Sequence, residues 1–219
     1  MNMANSVSVK EATTISGTRR LTGMAILTSI VIVLQLMGAF VRFGPFSISL
    51  VLVPIVIGAA LYGTVGGAWL GFVFGAAVLL SGDAGVFLAV SPFGTILTVL
   101  LKGTLAGLCA GIAYQAVSRV RAGKDPETAR GFDSAVIASA IVCPIVNTGI
   151  FLLGCLIFFM PTINGWAEAS GFSNVGKYMI FGLVGGNFLV ELLMNIILSP
   201  VIVRLIRAGR KIQSGGRNE

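Results

Sequence analysis

Along the chain, long apolar runs alternate with short polar stretches, the pattern of a protein that crosses a membrane repeatedly. A crossing helix takes about 20 predominantly apolar residues. Leu21–Val41 supplies the first run, after the polar and basic stretch Met1–Arg20. That stretch holds no apolar core and no cleavage site follows the helix, so no cleavable signal is expected. From Phe43 to Gly82 the chain is uncharged, too long for one crossing, and interrupted at Tyr62-Gly63-Thr64-Val65-Gly66-Gly67. Two helices are predicted there, Ser47–Tyr62 and Val65–Ser81, with Pro54 predicting a kink or a partly interfacial position for the first.

Gly82–Pro92 reads as a loop, Phe93–Val117 as a fourth helix and Ser118–Asp133 as a polar connection. Ser134–Met160, with Pro144 inside it, reads as the fifth helix. Pro161–Gly176 reads as a loop and Lys177–Arg204 as the sixth helix. The predicted fold is an all-α polytopic membrane protein, a six-transmembrane-helix bundle. It has an N-terminal tail over 1–20, a membrane domain over 21–204 and a basic tail over 205–219.

Composition turns that pattern into an exclusion. Of 219 residues 56% are hydrophobic and only 11% charged, with a mean hydropathy of +0.97. A soluble domain carries about 25% charged residues, so a soluble globular enzyme is excluded. The net charge of +7 is informative through its placement. Twelve of the 15 Lys and Arg residues lie in the N-terminal tail, the Ser118–Asp133 segment and the C-terminal tail together with Arg204 at the end of the sixth helix. Basic residues accumulate on the cytoplasmic side, so both termini are expected there, with the loops holding Arg42, Asp83 and Glu168 outside. The basic clusters then serve topology and contact with lipid, and no nucleic-acid partner is expected.

Chemistry is scarce. The chain has no histidine, which removes imidazole metal sites and histidine proton relays. Cys109, Cys143 and Cys155 lie in apolar runs without zinc or disulfide spacing and read as small packing residues. No paired membrane aspartates or serine–base pair suggests an intramembrane enzyme, and neither metal nor cofactor is expected. Gly171-Phe172-Ser173-Asn174-Val175-Gly176-Lys177 imitates a phosphate-binding loop, but Tyr178 stands where a Ser or Thr would hold Mg²⁺. Active transport would therefore draw its energy from a partner or an ion gradient. No convincing internal repeat marks an inverted-repeat transporter.

Polar residues inside the apolar runs carry the most information, because a charged group at the membrane centre costs about 2.5–3.5 kcal/mol on insertion scales. Lys102 and Glu191 both fall near the middle of predicted helices. Asn187, Glu191 and Asn195, four apart, share one helix face. Asn147, Thr148 and Gln35 are further polar groups at depth. Two readings stay open: a structural Lys102–Glu191 ion pair, or a polar cavity for a water-soluble ligand, with Arg42 and Lys177 at its mouth favouring an anion. Gly67, Gly71 and Gly75, and likewise Gly103, Gly107 and Gly111, form ladders that allow close helix approach, within the bundle or to a second membrane protein. Ala25-Ile26-Leu27-Thr28-Ser29 offers a smaller face of the same kind.

The stretch Phe43-Gly44-Pro45-Phe46-Ser47-Ile48-Ser49-Leu50-Val51-Leu52-Val53-Pro54-Ile55-Val56-Ile57-Gly58, followed by a glycine-rich helix ending at Gly75, resembles the substrate-binding S component of energy-coupling factor (ECF) vitamin transporters. The six-helix plan, the cytoplasmic termini and the basic tail extend the likeness over nearly the whole chain. It looks most similar to the branch holding pantothenate- and folate-type S components. The resemblance implies a multi-pass subunit of a bacterial-type plasma membrane, without an ATP site of its own. Such a subunit binds a vitamin from outside and works with a transmembrane T component and two cytoplasmic ATPases. It also implies that the helix-one face, here Ala25 and Ser29, docks the T component. Ligand contacts are implied for the first loop and helices four to six, where this sequence has Arg42, Thr95, Lys102, Asn147, Asn187 and Glu191.

Two other functions compete: a self-sufficient ion-coupled transporter or channel using Glu191, and a membrane assembly protein without a ligand. Charge placement favours a small vitamin bearing a carboxylate. Pantothenate stands ahead of folate, because few aromatic residues are available to stack on a pterin.

Overall fold

In a computed structural model the described residues are helical almost throughout. The structure describes the backbone of residues 3–38, 42–43, 46–47, 50–122 and 129–214, and the side chains of 17–38, 50–120 and 134–208. Helix α1 (Met3–Gly38) is followed by a small antiparallel hairpin, β1 (Arg42–Phe43) and β2 (Phe46–Ser47), with Phe43 opposite Phe46. Then come α2 (Leu52–Leu80), the short α3 (Gly85–Val90), α4 (Pro92–Ala122), α5 (Ala129–Phe158) and the short α6 (Met160–Ala169). The last apolar run is one winding element: α7 (Val175–Lys177), a π-helical stretch Tyr178–Val184, and α8 (Gly185–Ser214). Among the described residues, five helices are long and apolar enough to cross a membrane: Gly17–Gly38, Leu52–Leu80, Pro92–Val120, Ser134–Phe158 and Val175–Ala208.

The second of these contains the break foreseen between Tyr62 and Gly67. Gly63 has φ 80° and ψ −171°, a conformation essentially confined to glycine. Across it the chain doubles back. Gly67 packs on Ala59 and Gly58 on Leu70, pairs that a straight helix would hold about 12 Å or more apart. The run is thus two antiparallel arms, 52–62 and 64–80. The first is about 16 Å long, half the ~30 Å hydrocarbon core. It starts later than expected, because Phe46-Ser47-Ile48-Ser49-Leu50 alternates apolar and polar residues with the period of a strand. Pro54 sits in the first turn, where a missing N–H leaves no bond unmade, so the bend falls at Gly63.

Other boundaries also moved. Helix α1 continues through the polar segment expected as a tail, since no proline interrupts it before Gly38. The two segments expected as loops hold α3 and α6, the latter with Pro161 in its first turn.

The two glycine ladders pack on each other. A Cβ on Gly71 would overlap the Gly103 carbonyl, one on Gly67 the Gly107 carbonyl, and one on Gly75 would come within 2.7 Å of the Val99 oxygen. That seam joins the second arm of α2 to α4 at backbone contact, so the ladders belong to the bundle's interior. Helix α5 closes against the other side of α4, where Ser139 Oγ donates to the Ala110 carbonyl at 2.9 Å. Helix α1 is peripheral: 11% of its most apolar 18-residue stretch is buried, against 50% for that of α2. Polar contacts fasten it at both ends. Arg20 Nη2 donates to the Tyr62 carbonyl at 3.2 Å, and Gln35 Nε2 to Asp83 Oδ2 at 2.6 Å. Antiparallel pairing therefore puts Arg20, Tyr62 and Gln115 at one end of the bundle and Gln35, Asp83 and Phe158 toward the other.

Candidate ligand-binding site

A cavity of about 100 Å³ lies in the half of the bundle that holds Asp83. A water occupies roughly 10–15 Å³ by this kind of measure, so the space takes several waters or a small polar molecule. Its walls come from every long helix. Asn187 and Glu191, one turn apart on α8, face it together, and Asn187 Nδ2 donates to Glu191 Oε1 at 3.2 Å. Lys102 enters from α4, Asn147 and Thr148 from α5, and Gln35 from α1. The π-helical stretch precedes Asn187 directly and adds Leu183 and Val184 to the wall. The wider winding of such a stretch re-aims the residues that follow, a recurrent feature of functional sites.

Lys102 does not form the direct ion pair that one sequence reading entertained. Its ammonium lies 5.2 Å from the centre of the Phe151 ring and 5.7 Å from that of Phe74. Ring faces at that distance attract a cation through their quadrupoles. Glu191 Oε2 is buried without a hydrogen-bond partner, and so are Gln35 Oε1, Asn147 Oδ1 and Asn187 Oδ1. Unpartnered buried polar atoms are rare in folded proteins, and four on one cavity mark a site built to receive something. Asn195 continues the polar stripe below the cavity, where its Nδ2 donates to the Glu191 carbonyl at 2.9 Å.

A second apolar cluster covers the cavity. Phe87 of α3 meets Phe159, Phe151 and Trp166 edge-on at 5.1, 5.5 and 5.6 Å. Buried Ile163 and Met179 fill the space behind. These contacts turn the expected loops at 82–92 and 161–176 into a packed roof. Phe74, Phe87, Phe151 and Phe188 all line the cavity. Scarcity of aromatic residues is thus no argument against a flat ring as ligand, and that part of the sequence reasoning is set aside.

Of the residues singled out from sequence, Lys102, Asn147, Asn187 and Glu191 come together on one cavity. Thr95 does not reach it. It is 1% exposed, and its hydroxyl donates to the Ser91 carbonyl one turn back at 2.8 Å. The backbone of Arg42 lies in β1, and its side chain is outside the described residues. Lys177 is exposed on α7 and does not line the cavity. Gln35 and Thr148, read from sequence as polar groups at depth, also line the cavity, whereas nothing in the sequence pointed to Asp83 or the phenylalanines as part of it.

Ala25 and Ser29 lie on the outer face of α1, exposed together with Ile26, Ile30 and Val33. Ser29 Oγ donates to its own helix, to the Ala25 carbonyl at 3.0 Å, which leaves a smooth small-residue surface.

A profile of the ECF transporter, substrate-specific component, matches residues 19–206. Comparison with curated proteins and with solved structures gave no match.

Proposed function

The chain belongs to the substrate-specific components of ECF transporters, and from that membership we propose that its cavity is the receptor site for a small water-soluble vitamin entering from outside. The protein is a multi-pass membrane subunit of a transporter and not an ATPase. Its family works with a transmembrane T component and ATPases. The observation that carries the receptor reading is the convergence of Lys102, Asn147, Asn187 and Glu191 on one cavity with unpartnered polar atoms. A bundle that only needed to fold would have paired those groups with each other.

The finer reading follows from position and charge. The cavity lies in the half of the bundle away from Arg20. With the basic clusters cytoplasmic, it opens outward across a bacterial-type plasma membrane. Both termini are then inside, and the chain passes six times between the two faces, the short first arm of α2 spanning only part of its passage. Lys102, unpaired with Glu191, is available to a ligand carboxylate, and a pantothenate-like acid fits that end of the cavity. The Ala25–Ser29 face docks the T component, behind which two cytoplasmic ATPases supply the energy.

Reconstitution tests this reading against an ion-coupled transporter. Uptake of the vitamin into proteoliposomes should require the T component, the ATPases and ATP. Uptake by the lone chain under an ion gradient would replace the receptor with a self-sufficient transporter.

A further inference from the structure

We infer that the ligand is rich in hydrogen-bond donors and carries at most one negative charge, its N–H or O–H groups meeting Gln35, Asn187 and Glu191. This rests on the receptor reading above and narrows its substrate class. Two side-chain amides carry the argument. Gln35 Nε2 donates to Asp83 Oδ2 at 2.6 Å, and Asn187 Nδ2 donates to Glu191 Oε1 at 3.2 Å. A carboxylate oxygen only accepts, so the pair with Asp83 settles which end of Gln35 is nitrogen, and the pair with Glu191 does the same for Asn187 when that carboxyl is ionised. The opposite ends, Gln35 Oε1 and Asn187 Oδ1, are therefore acceptors, and both are buried without a donor. In the ionised form of its carboxyl, Glu191 Oε2 is a third. Gln35 is 2% exposed and Glu191 4%, so bulk water does not reach these side chains freely.

Charge points the same way. Two carboxyl groups, Asp83 and Glu191, and one ammonium, Lys102, line the cavity. A ligand with one carboxylate can place it at Lys102. A second negative charge would find no second cation among the described lining residues and would face the Glu191 carboxyl. Donors on the ligand satisfy the three waiting acceptors, while Phe74 and Phe151 hold its apolar body.

Titration calorimetry of the full chain in lipid nanodiscs tests this with four probes. Pantothenate is a monoanion with three donors, thiamine a cation with three, nicotinate a monoanion with none, and folate a dianion. Pantothenate or thiamine should bind best, with nicotinate and folate each about 30-fold weaker or more. Glu191→Gln should lower the affinity of the best probe about 10-fold, since it exchanges an acceptor for a donor. Tightest binding of nicotinate or folate would overturn the inference and leave the receptor reading standing. If no probe binds but denaturation releases another small molecule, its donors and charge decide in the same way. If no probe binds and nothing is released, the receptor reading falls and the inference with it.

Discussion

Lys102 is held in an apolar interior by two phenyl faces and long-range attraction, without a direct carboxylate partner. A ligand carboxylate would complete its environment. Losing one charge of a desolvated pair costs about 2–5 kcal/mol, so Lys102→Met should weaken binding about 30-fold or more, as measured by calorimetry. Glu191→Gln keeps shape and one acceptor oxygen, and should weaken binding less. If Lys102→Met binds normally while Glu191→Gln does not, the ligand has no carboxylate and the pantothenate-like reading fails. Thr95 provides the contrast. Its hydroxyl closes a bond within its own helix, so Thr95→Val should leave affinity within about twofold and cost at most about 1 kcal/mol of stability.

Among the elements, α1 and the α2–α4 seam respond to bulk in opposite ways. Gly71 faces the Gly103 backbone with no room for a side chain. Overpacking a tight core costs about 1–3 kcal/mol or more, so Gly71→Leu should abolish the monodisperse peak in size-exclusion chromatography. Ala25 and Ser29 point away from the bundle. Replacing either by Trp should leave ligand binding by the isolated chain unchanged while abolishing ATP-dependent uptake and capture of the T component. Equal loss of binding and uptake would make that face internal packing instead.

At the scale of the whole molecule, orientation is testable by thiol labelling. Cysteines at Gly123 and Gly215 should resist an impermeant reagent in intact cells, while one at Ala169 reacts. Labelling at Gly123 from outside would invert the bundle and place the cavity on the wrong side.

Much of this architecture could be read from sequence because a membrane imposes strong rules. Apolar run length located the long helices, and spacing of four exposed the glycine seam. The cost of polar burial picked out Lys102, Asn147, Asn187 and Glu191, which share the cavity. The aromatic walls were not legible. Phe87 and Phe188 look the same in sequence whether they face lipid, core or ligand, because all three surroundings are apolar. Asp83 was hidden because a carboxylate in a loop reads as solvated, whereas α3 folds that loop over the site. Thr95 misled in the other direction, since a threonine at depth can satisfy its hydroxyl on its own helix.

The central claim, that this subunit carries a specific small molecule in the Lys102–Glu191 cavity, is tested most directly by mass spectrometry of what the protein releases. Gently purified wild-type chain should yield one water-soluble vitamin-like compound in near-stoichiometric amount, and Lys102→Met chain, equally folded by size-exclusion chromatography, should yield almost none. The same compound recovered in equal amounts from both chains, or none from a wild-type chain that still holds its T component, would contradict the account.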